Sequence, residues 1–205
     1  MNSDWRDGFL FLGNQLSLDF LNTRPVVDGN ALELLPDCAS LVRWLKAAGL
    51  VPPREVKRLD RDWSAQQAFT EMMGELREFR ERLRQAVLQR ETGGLPSRAF
   101  ISTVNELLLA HPHIDQVIQT GSGLVRGKRF EPQLPLDVFG PIMHSVATIL
   151  TMLDPSRLRK CENCVLHFYD TSKKGTRRWC SMNLCGNRLK VAAYTKRKRA
   201  ELSDD

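Results

Sequence analysis

Residues 161–188 read CENCVLHFYDTSKKGTRRWCSMNLCGNR, and they place four of the chain's five cysteines as Cys161-x2-Cys164-x15-Cys180-x4-Cys185. Two close pairs separated by a loop long enough for a hairpin are what a short segment needs to surround one tetrahedral Zn²⁺ with thiolates. Free thiols have no reason to adopt that spacing. The opening stretch, Met1-Asn2-Ser3-Asp4-Trp5-Arg6-Asp7, has neither the basic start nor the apolar run of a secretory leader, so export is not expected and the compartment is read as a reducing cytoplasm, where paired cysteines bind metal before they form disulfides. One Zn²⁺ per chain on Cys161, Cys164, Cys180 and Cys185 follows. Four thiolates leave no open coordination position, so the metal is structural and no enzyme is expected.

The spacing also constrains local shape. On one continuous α-helix Cys180 and Cys185 would lie roughly 140° apart and could not face one metal. Cys180 is therefore placed at the end of a strand over 176–179 and Cys185 in the first turn of a following helix, capped by Asn183 or Ser181. Gly186 is read as the residue that lets backbone approach a thiolate. With residues 166–169 as the other arm of a hairpin, the segment reads as a treble-clef-like four-cysteine finger. His167 is read as a strand residue beside the site, with ligation as the alternative; the fifth cysteine, Cys38, is read as a small core residue.

Charge is distributed as unevenly as the cysteines. From Arg157 to Arg199 there are 13 Lys and Arg against 2 acidic residues, an excess larger than the whole chain's net charge of +6. An anionic partner for this quarter is implied, nucleic acid before membrane surface. The candidate contacts are Arg177, Arg178, Arg188, Lys190, Lys196, Arg197, Lys198 and Arg199, several of them on a last helix from Gly186 to about Leu202. Arg188 is the candidate base reader, because its planar fork suits guanine and it stands near the metal. Lys173 and Lys174 would add phosphate contacts.

The stretch Arg178-Trp179-Cys180-Ser181-Met182-Asn183-Leu184-Cys185-Gly186-Asn187-Arg188 resembles the CGNR zinc-finger family of bacterial proteins. Leu12-Gly13-Asn14-Gln15-Leu16-Ser17-Leu18-Asp19-Phe20-Leu21-Asn22-Thr23 and Leu41-Val42-Arg43-Trp44-Leu45-Lys46-Ala47-Ala48-Gly49-Leu50 are similar to the opening of its N-terminal ABATE domain. The Cys161-x2-Cys164 spacing is shorter than the first pair of related sequences often is. The resemblance implies a regulator of transcription under stress, with DNA as partner.

Before residue 155 the pattern is mostly helical. Asp37 precedes Leu41, Trp44, Leu45 and Ala48 at helical spacing and Gly49 follows, which predicts a capped helix over 38–48. Pro52-Pro53 open a charged helix ending near Trp63. Ala68, Phe69, Met72, Met73, Leu76, Phe79, Leu83 and Val87 predict a long helix over 65–90, broken by Gly93-Gly94. Ser97 caps another, and Val138 to Met152 forms the last. Residues 114–119 and 124–130 flank Thr120-Gly121-Ser122-Gly123 and predict a small β-hairpin. The fold class is mainly α, divided at Asp154-Pro155-Ser156 into a helical domain, 1–155, and the finger, 156–205.

Asp19, Asn22 and Thr23 set an acid, an amide and a hydroxyl among apolar neighbours. One reading is a helix end, with Asn22 in the left-handed cap position; the other is the polar wall of a small-molecule pocket. His144, His113 and Met72-Met73 read as ordinary structure, and no apolar run reaches the roughly 18 residues of a membrane span. The reading is a zinc-dependent DNA-binding regulator whose helical domain senses a ligand or forms a homodimer. Two alternatives stay open: a zinc-stapled protein-interaction module that binds no nucleic acid, and a small-molecule enzyme in the helical domain.

Overall fold

Local sequence signals set most element ends. The computed structural model describes residues 4–27, 29–66, 68–112 and 114–186. In chain order come β1 (Trp5–Arg6), β2 (Phe9–Leu10), α1 (Leu16–Leu21), β3 (Val26–Val27), β4 (Asn30–Ala31), α2 (Cys38–Ala47), α3 (Val56–Ser64), α4 (Phe69–Glu91), α5 (Arg98–Ala110), β5 (Ile114–Thr120), β6 (Gly123–Arg129), α6 (Phe139–Thr151), β7 (Leu158–Lys160) and β8 (His167–Tyr169). The strands form four separate antiparallel pairs of consecutive strands. The fold is mainly α, as the helical periodicity predicts.

Asp37 caps α2 through a capping box: its carboxylate accepts from Ser40 N at 2.8 Å while Ser40 Oγ accepts from Asp37 N at 3.1 Å. Gly49, at φ +74°, takes the left-handed position that ends the helix. Ser97 Oγ accepts from Phe100 N and starts α5. The long helix begins at Phe69 rather than directly after Ser64. Gln66 N and Phe69 N each bond a carbonyl three residues back, to Trp63 and Gln66, so the chain turns before α4 starts.

The core is built around α4, whose Met73, Leu76, Phe79, Leu83 and Val87 share one buried cluster with residues of α1, α2, α5 and α6. Trp44 and Trp63 are both fully buried in it. Arg80 lies on the same face and is 1% exposed. It is tolerated because Glu33 pairs with its guanidinium and Thr23 Oγ1 accepts from it at 2.8 Å. The β5–β6 hairpin lies outside this core: it pairs Ile114 with Arg129 through Thr120 with Gly123, and leaves Ile114, Val117 and Leu124 exposed. Among the described residues no helix is long and apolar enough to cross a membrane.

Candidate metal centre and its seat on the helices

The finger's hairpin is not the one the spacing suggested. β8 pairs with β7, Lys160 opposite His167, so the two strands flank the Cys161-x2-Cys164 knuckle, and Cys161 N donates to Leu166 O at 2.8 Å. Residues 176–179 form no strand. They are tied as a loop: Arg177 N donates to Asp170 Oδ2 at 2.8 Å, and Glu162 N to Arg178 O at 3.1 Å. Asp170 and the knuckle supply acceptor and donor one at a time, where a ladder would need alternating pairs.

Cys180 enters the short helical turn Met182–Gly186, where Gly186 N bonds Ser181 O at 3.0 Å, five residues back. That wide turn brings residues five apart to one side, which a regular α-turn does not. Ser181 Oγ accepts from Asn183 N and Leu184 N, so it is the cap. A Cβ on Gly186 would meet Met182 Sδ at 2.7 Å; the glycine makes room for that side chain rather than for a thiolate.

The four sulfurs of Cys161, Cys164, Cys180 and Cys185 lie within 4.8 Å of one another. The Cys164–Cys180 and Cys180–Cys185 separations are 3.7 and 3.6 Å. A tetrahedron with Zn–S near 2.3 Å has edges of about 3.8 Å, so the donor set fits zinc in both chemistry and size. His167 is outside the cluster, as a strand residue. Its ring is buried, neither nitrogen has a partner among the described residues, and burial pulls its pKa down to about 4.

The basic residues divide into two kinds. Arg177 stacks over the Phe168 ring at 4.5 Å and donates to the carbonyls of Trp179 and Cys180. It braces the centre through Nε and Nη2. Arg178 is exposed and pairs with Glu162, whose carboxyl it holds below its usual range. Lys173 and Lys174 are exposed. Arg188, Lys190, Lys196, Arg197, Lys198 and Arg199 lie outside the described residues, as does the helix read over 186–202.

The finger is seated on the helices through backbone. Asn22 Nδ2 donates to His167 O at 2.8 Å and His167 N donates to Asn22 Oδ1 at 2.9 Å. Tyr169 N donates to Gly13 O at 2.8 Å, Asn14 Nδ2 to Tyr169 O at 2.8 Å, and Lys160 N to Glu91 Oε1 at 2.5 Å. Leu10 and Leu12 pack into the same small cluster as Phe168 and the buried cysteines.

Asp19, Asn22 and Thr23 do not share a pocket wall. Asn22 is buried at the seat of the finger with φ −75°, so it is not a left-handed cap; the left-handed residue of this region is Asn14, at φ +58°. Thr23 is buried and donates to Phe20 O at 2.7 Å. Of the three, Asp19 lines a cavity of about 540 Å³, with Arg6, Asn14, Gln15, His144 and Ser145 among its neighbours. Its Oδ1 accepts from Gly13 N at 2.7 Å, and burial pushes its pKa up to about 7. Arg6 and His144 were not legible as wall residues, since nothing local links either of them to Asp19, 13 and 125 positions away in sequence; Gly13-Asn14 carried the signal of a turn.

Two family models match the chain. Residues 14–152 match ABATE, described as a "putative stress-induced transcription regulator", and residues 157–198 match the CGNR zinc finger. No curated protein matches.

Proposed function

Because the chain belongs to the ABATE family and ends in a CGNR zinc finger that takes one zinc ion on its four clustered cysteines, we propose that it is a DNA-binding regulator of transcription whose finger works only with its metal in place. The observation that carries this is the excess of 13 basic over 2 acidic residues between Arg157 and Arg199, the stretch of sequence in which the four clustered cysteines fall. Two charges of the four-thiolate centre need neutralising, and far more are supplied. Each phosphate contact releases counterions, which makes such binding steeply salt-dependent. The zinc has no catalytic task in this reading: its shell is closed, and it fixes the loop that carries Lys173, Lys174 and Arg178. The setting is the cytoplasm.

The test is titration of the zinc-loaded protein with duplex DNA over a range of salt. Neutralising Lys196, Arg197, Lys198 and Arg199 together should flatten the log–log slope by up to about four, roughly one per lost phosphate contact. Arg188→Ala should cost roughly 1–3 kcal/mol on a selected site and much less on random sequence. No binding to duplex DNA at low salt would leave the finger as a protein-interaction module.

The helical domain is the regulatory half in this reading, and the exposed hairpin supports association of two copies. An isolated two-stranded ribbon is marginal in water, and β5–β6 exposes Ile114, Val117 and Leu124. Val117→Asp should then shift the sedimentation coefficient from dimer to monomer; a monomeric wild type at high concentration would remove this role.

A further inference from the structure

The cavity beside Asp19 has both charges of a ligand written into its wall. Asp19 contributes a carboxyl group that is nearly withdrawn from solvent and is charged above about pH 7, and Arg6 a guanidinium that lies over the Phe11 ring at 5.2 Å. Phe11, Leu16, Leu50 and Pro141 supply apolar wall between and around them. A simple amine would satisfy Asp19 and be repelled by Arg6; a simple carboxylate would do the reverse. The volume, about 540 Å³, is within the range of small-molecule sites.

We infer that this cavity binds a small zwitterion with an apolar body, the chemistry of an aliphatic or aromatic α-amino acid, its ammonium on Asp19 and its carboxylate on Arg6. The inference deepens, and rests on, the reading of the helical domain as the regulatory half. What makes the site regulatory is its wall. Gly13 N is held by Asp19 Oδ1, while the carbonyl of the same residue receives Tyr169 N from β8 of the finger. Asn14 lines the cavity and donates to Tyr169 O. An ammonium that draws on Asp19 competes for the oxygen holding Gly13, and so acts on the peptide to which the finger is tied. Gly13 has no slack: a Cβ there would meet Leu18 Cβ at 2.6 Å and Asp19 N at 2.9 Å.

The experiment is calorimetric titration of the full-length zinc-loaded protein, without DNA, with L-leucine, L-methionine and L-phenylalanine, and with 3-methylbutylamine and 4-methylpentanoate as the two halves of leucine. At least one amino acid should bind with Kd below about 1 mM, and each half-molecule at least about tenfold more weakly, the scale of one lost charge-assisted hydrogen bond. Asp19→Asn, which keeps an acceptor for Gly13, and Arg6→Gln should each weaken binding about tenfold or more. Thr148→Phe, which fills the cavity from α6, should abolish it. Three amino acids all weaker than about 1 mM, a half-molecule binding as well as its parent, or undiminished binding by Thr148→Phe in a zinc-replete folded protein would overturn the assignment. Because DNA is absent, such a failure leaves the DNA-binding reading to be decided by the salt titration alone.

Discussion

Asn22 and His167 exchange two hydrogen bonds across 145 positions of sequence, amide to carbonyl at 2.8 Å and N–H to amide oxygen at 2.9 Å. The carboxamide thereby completes the backbone pairing of β8 on the edge that β7 does not cover, a task a third strand would perform in a larger sheet. It ties the finger to α1 with a side chain that is 1% exposed.

Asn22→Ala leaves a buried donor and a buried acceptor of His167 unpaired, at roughly 1–3 kcal/mol for each. The expected loss of stability in urea is about 2–5 kcal/mol, together with faster amide exchange at His167. A loss under about 0.5 kcal/mol, the size of an ordinary surface change, would show that the clasp does not hold the seat.

Gly13→Ala puts a methyl where Leu18 Cβ and Asp19 N already stand, at 2.6 and 2.9 Å. Since those are α1 atoms and the Gly13 peptide bonds both Asp19 and Tyr169, relief by movement sacrifices one of those bonds. Thermal unfolding should report a cost of at least about 1–3 kcal/mol, the usual range for overpacking. An unchanged midpoint would contradict the close approach.

Burial raises Asp19 from 3.8 to about 7, with Arg6 opposing the shift. The folded protein therefore holds this proton where the unfolded chain has lost it, and stability falls as pH rises from about 4 to about 7, then stays level. At about 1.4 kcal/mol per unit the full effect is at most roughly 4 kcal/mol. Asp19→Asn removes the titration, so its stability relative to wild type should climb over that interval. His144 lines the same cavity, and the comparison should be repeated with His144→Gln in both proteins. A difference independent of pH would show that Asp19 is ionised in the folded state throughout.

What the sequence displays is local. Cysteine spacing, the Asp37 and Ser97 caps, Gly49 and the 65–90 periodicity are each settled within a few residues, and they predict the four-sulfur cluster and the helices. Long-range partners are not displayed. Nothing in Arg80 announces that Glu33 and Thr23 will accompany it into the core. Arg177 counts as a free charge until Phe168 and the Cys180 carbonyl are found beneath it. Strand pairing in the finger went to β7 across the knuckle 161–166 rather than to 176–179 across 170–175; the two connections are equally long, so closure length could not have told them apart in the sequence. Asn22 and Thr23 looked like pocket walls because polarity among apolar neighbours suits either a cavity or a buried junction, and only packing distinguishes the two.

Leu10 and Leu12 pack with Phe168, Cys161, Cys180 and Cys185, and Asp4 accepts from Ser181 Oγ beside the same centre. Through Leu10, Leu12 and Asp4 the first described strands lean on the metal centre, although about 150 residues separate them from its ligands in sequence and Phe9 of β2 joins the helical core; α2 and α4 pack within that large core. Structural zinc supplies much of the folding energy of a small module, so removing it should release whatever leans on that module alone. Hydrogen exchange after treatment with a strong zinc chelator should show increased uptake in residues 158–186 and also in residues 4–12. The middles of α2 and α4 should keep their protection. Readdition of zinc should restore both segments together. If residues 4–12 stayed protected while the finger opened, Leu10 and Leu12 would be anchored by the helical core, and the metal's reach would end at the knuckle.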